Sequence, residues 1–448
     1  MLRGPLVKNI FFFAIPIAIS GLLQIFFNAA DLMVVGRFCG SVSVAAVGST
    51  ASVTALMINF FMGLSVGTGV TAAQAMGAGD DETTSRIVHT TLPGSILCGL
   101  FLTVVGLVCS KPLLQLMGTP EEVLPLATLY MQIYFAGMTF NMIYNFCSAI
   151  LRAAGDTRNP LKFLTIAGIA NVVLNVIFVT LFHMNVAGVA LATVISQGIS
   201  AVLVVLALTK RLDSCHLDMK HLRIYPKELG RIVRIGLPAG IQSSVFAISN
   251  VLIQSAVNSF GPAMMSGATA AGSIEGFISV CMSSFSQANV NFTGQNMGAK
   301  QYKRINKIML CCITCSTIVG IVGGVLICIF ARPLLSIYIT DSAEAIELGR
   351  IRMFYVALPY FLCTMMDNAT STLRGMGKSL VPMIMTILGV CGFRIVWILT
   401  IFRIPQFHTP QMLYISYPIS WGATFVFQMI MYFHVIRKLI RGSEQKAV

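Results

Sequence analysis

Long apolar runs separated by short polar stretches are the dominant pattern along this chain. An α-helix needs about 20 consecutive apolar residues to cross the hydrocarbon core of a bilayer. Twelve runs reach that length, at 9–35, 42–76, 86–110, 123–150, 161–182, 186–209, 231–258, 263–297, 305–331, 350–373, 380–402 and 411–436. The pattern predicts an all-α membrane protein with twelve transmembrane helices, in which Pro16 and Pro238 are bending points.

Composition agrees with a membrane protein and argues against other classes. Hydrophobic residues make up 56% of the chain and charged residues only 10%, whereas soluble proteins carry about 25% charged residues. The net charge of +14 could suggest a nucleic-acid partner, but the positive residues flank the apolar runs instead. The sequence contains no Ser/His/Asp set, HExxH motif or phosphate-binding loop, so we do not expect an enzyme.

The distribution of positive charge predicts the orientation. If both termini are placed in the cytoplasm, most of the 30 Lys and Arg residues fall in cytoplasmic stretches, many of them in the central polar stretch 210–228. Positive residues accumulate on the cytoplasmic side of membrane proteins. We therefore expect a multi-pass protein of the plasma membrane, surrounded by lipid, with both termini in the cytoplasm.

An internal repeat divides the chain into halves. Gln-Ala-Met-Gly-Ala at 74–78 recurs as Gln-Asn-Met-Gly-Ala at 295–299, and Leu-Arg-Ala-Ala-Gly at 151–155 recurs as Leu-Arg-Gly-Met-Gly at 373–377. Each half holds an even number of crossings, so both halves enter the membrane from the same side, as in transporters that work by alternating access. The prediction is a monomer of two pseudo-symmetric six-helix lobes. The predicted bounds are 1–212 for the N-terminal lobe, 213–230 for a cytoplasmic linker and 231–448 for the C-terminal lobe.

Three acids lie inside apolar runs, namely Asp31, Glu275 and Asp367. A carboxylate within the membrane is costly and indicates a functional site. The matching positions of the other half carry no acid and hold Ile253, Thr54 and Asn145. The six-helix fold alone does not need these acids, which favours a functional role for Asp31. Glu275 and Asp367 either face the cargo or belong to a structural ion pair, for example with Arg394.

Several motifs together resemble the multidrug and toxic compound extrusion (MATE) family. They span nearly the whole chain in the order of the family. They are Asn28-Ala-Ala-Asp31 with Gly36, Gly63-Leu-Ser-Val-Gly-Thr68, Gln74-Ala-Met-Gly-Ala-Gly79, Leu151-Arg-Ala-Ala-Gly-Asp-Thr157, Asn171-Val-Val-Leu-Asn175, Gly188-Val-Ala-Leu-Ala-Thr193, Gln295-Asn-Met-Gly-Ala299 and Leu373-Arg-Gly-Met-Gly-Lys378. The resemblance implies two six-helix lobes and export of large, often cationic organic compounds in exchange for inward-moving protons or sodium.

The resemblance also implies a cation-coupling site in the N-terminal lobe. Carried over to this chain, its members are Asp31, Asn145, Asn171, Asn175 and Thr193. The family usually has aspartate where this chain has Asn175. Loss of one carboxylate weakens an oxygen cage for sodium, whereas a proton needs only one carboxyl group in a medium of low dielectric constant. We therefore expect proton coupling, keep sodium at Asp31 as the alternative, and expect no other cofactor.

The cargo is expected to be a small organic compound. Three acids against the one deeply placed base, Arg394, favour a cationic cargo. A flippase for lipid-linked glycan precursors, as found in the wider superfamily, is the alternative function, and it should show a more basic cavity. The candidate cargo-binding residues are Gln24, Asn28, Tyr144, Glu275 and Asp367.

Overall fold

The computed structural model describes residues 1–340 and 342–445, and all regular elements within these residues are helices. The end of the predicted C-terminal lobe, 446–448, lies outside the described residues. Helices of the first half are α1 (Leu6–Phe38), α2 (Ser41–Ala78), α3 (Asp81–Leu116), α4 (Leu124–Ala136), α5 (Met138–Ala153), α6 (Arg158–Thr180) and α7 (Asn185–Thr209). The fourth predicted segment forms two consecutive helices, α4 and α5, which meet at Gly137.

The second half repeats this series with more interruptions. Its helices are α8 (Pro226–Asn258), α9 (Pro262–Gly298), α10 (Tyr302–Ile329), α11 (Ala331–Ser336), α12 (Ala343–Arg352), α13 (Tyr360–Gly375), α14 (Leu380–Thr386), α15 (Phe393–Leu399), α16 (Pro410–Tyr414) and α17 (Ser416–Glu444). A π-helical turn follows α12 at Met353–Ala357, and another joins α14 to α15 at Ile387–Gly392. Helices α1 and α8 have 33 residues each, and α2 and α9 have 38 and 37, as expected of a repeat.

Each of the twelve predicted segments coincides with one helix or with consecutive helices. Nine helical segments of the described residues are long and apolar enough to cross a membrane. The other three segments are α9, which contains many polar residues, and the interrupted pairs α4–α5 and α12–α13. α12 begins at Ala343, seven residues before the predicted bound at 350, and Ser342 caps it by accepting from the amide of Ala345 (3.2 Å). The exposed first turns of α12 are polar, so apolar content alone misses them.

Contacts between helices divide the chain into two units. The N-terminal unit is Ile19–Gly240, and the C-terminal unit combines Met1–Ala18 with Ile241–Val448. These units do not follow the predicted lobe bounds, because α1 and α8 are each divided shortly after Pro16 and Pro238. Ile10, Phe13 and Ala14 of α1 are buried in the same cluster as Phe285 and Phe292 of α9.

Glycines hold the first half of α8 against α2 within the N-terminal unit. A Cβ atom on Gly63 would lie 2.1 Å from the backbone nitrogen of Gly240, and one on Gly67 would lie 2.3 Å from the carbonyl oxygen of Ile232. Any side chain at these positions would collide with backbone that cannot move aside. Small residues allow such close helix packing in membrane proteins, so this crossing assigns the start of α8 to the N-terminal unit.

The central polar stretch packs on the N-terminal unit. The predicted linker 213–230 includes the first turn of α8, which starts earlier because Pro226 suits the first helical position. Cys215 and Leu217 are buried in a cluster with residues of α3, α5 and α7. The amide of Asp218 donates to Nε2 of His89 in α3 (3.1 Å). The stretch is therefore anchored to the first half of the chain.

Candidate functional site

Close packing of α1 on α6 brings Asp31 to the amides of the fifth segment. A Cβ atom on Gly168 of α6 would lie 1.9 Å from the ring of Phe27, so the glycine makes room for α1. Asn171 and Asn175 follow Gly168 at helical spacings of three and seven residues, which places the three on one face of α6. Asp31 lies one turn beyond Phe27 on α1. The local sequence thus directs a carboxylate and two amides to the same place.

Hydrogen bonds connect four of the five predicted coupling residues in one chain, here called the Asp31 cluster: Asp31, Asn171, Asn175 and Thr193. Nδ2 of Asn175 donates to Oδ1 of Asp31 (2.5 Å) and lies 3.3 Å from Oδ1 of Asn171. Nδ2 of Asn171 donates to Oγ1 of Thr193 in α7 (3.3 Å). Asn175 is 0% exposed and Asn171 is 5% exposed, whereas Asp31 is half-buried.

Asn145, the fifth predicted member, is engaged elsewhere. Its Nδ2 donates to the carbonyl oxygen and to Oδ1 of Asn141, one turn earlier on α5, both at 2.9 Å. Among the described residues it makes no hydrogen bond to the Asp31 cluster. A role for Asn145 in cation coupling stays a prediction.

Aromatic and aliphatic side chains surround the Asp31 cluster. Tyr130 packs on a buried cluster of valines from α1, α6 and α7. Tyr134 lies one turn after Tyr130 on α4, and the two rings are stacked with their centroids 6.2 Å apart. The sequence reasoning missed Tyr130 as a neighbour of these helices. The spacing of the two tyrosines in an apolar helix did not show which face of α4 meets α1, α6 and α7.

The cluster offers four oxygen-bearing side chains but only one charge. Oxygen atoms of Asp31, Asn171, Asn175 and Thr193 are ligands of the type that a hard cation prefers. Oδ1 of Asn175 is buried and has no hydrogen-bond partner among the described residues. No group of three or more His, Cys, Asp or Glu residues that could hold a metal ion occurs in the described part of the chain. The chemistry present is therefore that of one carboxyl group in a partly neutral oxygen cluster.

The predicted cargo residues of the N-terminal unit lie in two environments. Gln24 and Asn28 of α1 are exposed. Tyr144 of α5 is buried, and its hydroxyl donates to the carbonyl oxygen of Pro160 at the start of α6 (3.0 Å). This bond gives Tyr144 a structural role between α5 and α6. Cargo binding by these three residues stays a prediction.

The two acids of the C-terminal unit that lie inside membrane segments have arginines near them that the sequence reasoning did not assign. Glu275 in α9 forms a two-pronged ion pair with Arg352, with nitrogen–oxygen distances of 3.1 and 2.9 Å. Half-buried Asp367 forms no ion pair within 4.0 Å among the described residues, and Arg374 lies two turns further along α13. Among the described residues Arg394 forms no ion pair within 4.0 Å, so the alternative of a structural ion pair holds for Glu275 with Arg352 and for neither acid with Arg394. The prediction of a cationic cargo loses support, because it was based on three acids and the charge of one of them, Glu275, is balanced by Arg352.

Comparison with known proteins identifies the family to which the chain is similar. The sequence model of the MatE family matches residues 16–177 and 238–400, which are the two halves of the repeat. The chain is 28% identical to the probable multidrug resistance protein YoeA of Bacillus subtilis strain 168, over 87% of this chain and 85% of that protein. It is 29% identical to the probable multidrug resistance protein YpnP of the same organism, over 80% of each chain. The fold is similar to a crystal structure of MATE in complex with MaL6, with a TM-score of 0.91, 22% identity and 98% of each chain covered.

Proposed function

Because the chain belongs to the MatE family of multi-pass membrane transporters, which are not enzymes, we propose that it exports organic compounds in exchange for an inward-moving cation. The names of the two Bacillus relatives support a multidrug cargo for this chain. Alternating access of the two repeats would carry the exchange. In this proposal the protein works as a monomer in the plasma membrane, with both termini in the cytoplasm and no nucleic-acid partner.

The coupling cation in this proposal is the proton, and the observation that carries it is the contact between Asp31 and Asn175. An ionised carboxylate needs hydrogen-bond donors when it is removed from water. Nδ2 of Asn175 supplies one to Asp31. The neutral amide of Asn175 therefore stabilises the ionised Asp31. An aspartate at position 175 would add a second negative charge, and the pair would then need a bound cation.

The same amide can also serve the protonated state. A protonated carboxyl group donates its O–H and needs an acceptor. Oδ1 of Asn175 is buried with no partner among the described residues, and a half-turn of the amide about χ2 would present this oxygen to Asp31. Asn175 can thus follow the protonation of Asp31 by changing which of its atoms faces the carboxyl group. Each proton taken up changes the charge of the cluster by one unit, which is the signal that an exchanger needs.

Transport by the purified protein in liposomes tests the coupling ion. Export of a cationic dye is measured with either an imposed proton gradient at equal sodium or a sodium gradient at equal pH. We expect the proton gradient to drive export in the absence of sodium. The Asn175→Leu variant, which keeps the volume but has no polar atoms, should lose proton-driven export. Transport that runs on sodium at equal pH and stops on a proton gradient would contradict proton coupling.

A cationic cargo remains part of the proposal and now depends mainly on Asp367. Glu275 is occupied by Arg352, whereas Asp367 forms no ion pair within 4.0 Å among the described residues. Affinity for the dye should therefore fall in an Asp367→Asn variant. Unchanged affinity would show that this acid does not contact the cargo.

A further inference from the structure

Arg394 in α15 is a buried charge that the proposed exchange does not use. It is 1% exposed, although it lies in the eleventh membrane segment. The corresponding region of the first half is uncharged and holds Asn171, Val172 and Val173. The repeat can thus fold without a base here. An ionisable residue inside a membrane segment indicates a functional site, especially when no counter-charge is built in.

Aromatic side chains hold the guanidinium by its faces. Its central carbon lies 4.0 Å from the ring centroid of Tyr417, 5.4 Å from that of Trp421 and 5.9 Å from that of Phe246. Its Nε donates to Oγ of Ser420 (3.1 Å). Cation–π contacts orient a guanidinium but leave its N–H edge available for hydrogen bonds in the plane.

That edge has a donor without an acceptor. Nη2 of Arg394 is buried and has no hydrogen-bond partner among the described residues, and the same is true of Nε1 of the neighbouring Trp421. Buried donors are nearly always paired in proteins. Nη2 of Arg394 and Nε1 of Trp421 are therefore suited to bind an acceptor that comes from outside the side chains of this unit.

The acids of the C-terminal unit do not supply this acceptor. Glu275 directs its oxygens at Arg352. Arg374, seven residues after Asp367 on α13, donates to Oε1 of Gln242 (2.8 Å). Buried Arg394 therefore forms no ion pair within 4.0 Å among the described residues of the unit, and its Nη2 has no hydrogen-bond partner there.

We propose that Arg394, together with the rings of Tyr417, Trp421 and Phe246, forms a binding site for an organic oxyanion, a carboxylate or phosphate carried by a flat aromatic ring. The oxyanion would accept from the free N–H edge, since guanidinium geometry matches carboxylate and phosphate oxygens. The aromatic ring of the ligand would pack against the rings that surround Arg394 and take the place of some of their contacts with each other. The inference extends the proposed function by naming a second cargo class, and binding can be measured without transport. Because Arg394 is closed to solvent in this structure, binding takes place in a state that opens the site.

Fluorescence of Trp421 gives a local measure of binding. The chain has two tryptophans, so Trp397→Phe leaves Trp421 as the sole reporter beside Arg394. Purified full-length protein in detergent is titrated with 4-nitrobenzoate, 4-nitrophenyl phosphate and the uncharged 4-nitrobenzyl alcohol, whose nitro groups quench tryptophan. Free tryptophan amide in the same detergent corrects for absorption by the probes. The two anions distinguish a carboxylate site from a phosphate site.

We expect saturable quenching by at least one anion and weaker binding of the alcohol. Arg394→Met should weaken anion binding about tenfold or more, because a charged hydrogen bond is lost, while exposed Arg403→Gln should leave it unchanged. Arg394→Met also loses the ring contacts and the hydrogen bond to Ser420, so thermal unfolding of the ligand-free variant is used to check that it is folded before the titration. If that variant does not fold, Arg394→Lys keeps the charge without the planar fork and should also bind the anion more weakly.

Equal binding of the alcohol and both anions, or anion binding that is unchanged in the Arg394 variants, would overturn this inference. The result of this binding experiment does not depend on whether transport is coupled to protons. Anion binding that persists in a protein that fails to export in liposomes would contradict the proposed function and leave the oxyanion site standing.

Discussion

Replacing Asn175 by aspartate should convert the Asp31 cluster into a sodium-responsive site. Nδ2 of Asn175 lies 2.5 Å from Oδ1 of Asp31, so the new carboxylate would face the existing one at short range. Two unit charges about 4 Å apart repel by about 4 kcal/mol at an effective dielectric constant of 20. The pair must therefore take up a proton or bind a cation. The neutral oxygens of Asn171 and Thr193 complete the ligands for a hard cation.

The repulsion energy between the two carboxylates sets the expected gain in sodium affinity. A repulsion of about 4 kcal/mol that sodium relieves would tighten sodium binding by up to about 1,000-fold. Proton uptake by the pair competes with sodium, and half-buried Asp31 is partly screened, so we expect a gain of at least about tenfold at alkaline pH. A ligand present at about 100 times its dissociation constant stabilises a fold by about 2.7 kcal/mol, which a thermal scan detects.

The assay is thermal unfolding of purified protein in detergent, with sodium exchanged for choline at constant ionic strength. Asn175→Asp should gain a sodium-dependent rise in melting temperature that the parent protein lacks. Asn141→Asp is the matched control, because it places the same charge in the same unit on a residue that bonds to Asn145 and not to the cluster. A sodium response that is no larger in Asn175→Asp than in the parent would refute the charge argument.

Three further predictions concern single positions. Asp31→Asn should abolish proton-driven export in liposomes without lowering the yield of folded protein, and full export by the variant would exclude Asp31 as the coupling acid. Gly240→Ala should destabilise the protein by about 1–3 kcal/mol, because its Cβ would lie 2.2 Å from a carbonyl oxygen of α2. Gly230→Ala on the same helix meets nothing within 4 Å and should leave the melting temperature unchanged or raise it slightly, since alanine favours a helix over glycine. Glu275→Gln should cost about 3–5 kcal/mol because it leaves Arg352 unpaired, and equal melting temperatures of variant and parent would contradict this.

Most of the fold could be predicted from the sequence because its signals are local. Each membrane segment must hold its apolar residues in one continuous run, and those runs coincide with the helices to within a few residues at most ends. The repeat was visible for the same reason, since turn motifs such as 74–78 and 295–299 recur in order. The division of α1 and α8 between the two units was not visible. It depends on which neighbours each half of a helix contacts, for example Gly240 against α2, and periodicity carries no information on that.

The candidate site was predictable in part. Asn171 and Asn175 are four residues apart on one helix, so their shared face follows from the sequence, and the resemblance placed Asp31 beside them. The pairing of Glu275 with Arg352 was missed, because Arg352 lies at the polar end of its segment and far from Glu275 along the chain. The hydrogen bonds of Asn145 to Asn141 could not be predicted, because an amide can donate to its own helix as readily as to a neighbour. Side-chain direction in these cases is decided by tertiary packing.

The two repeats differ in charge at the fifth membrane segment. In the first half, the fifth segment is α6, which contributes Asn171 and Asn175 to a cluster whose only charge is the acid Asp31. In the second half, the fifth segment is formed by α14 and α15, and it contributes Arg394, which forms no ion pair within 4.0 Å with the described side chains of its unit and whose Nη2 has no hydrogen-bond partner there. Both halves thus use the same arrangement of helices, but the polar residues on the fifth segment of one half differ from those on the fifth segment of the other.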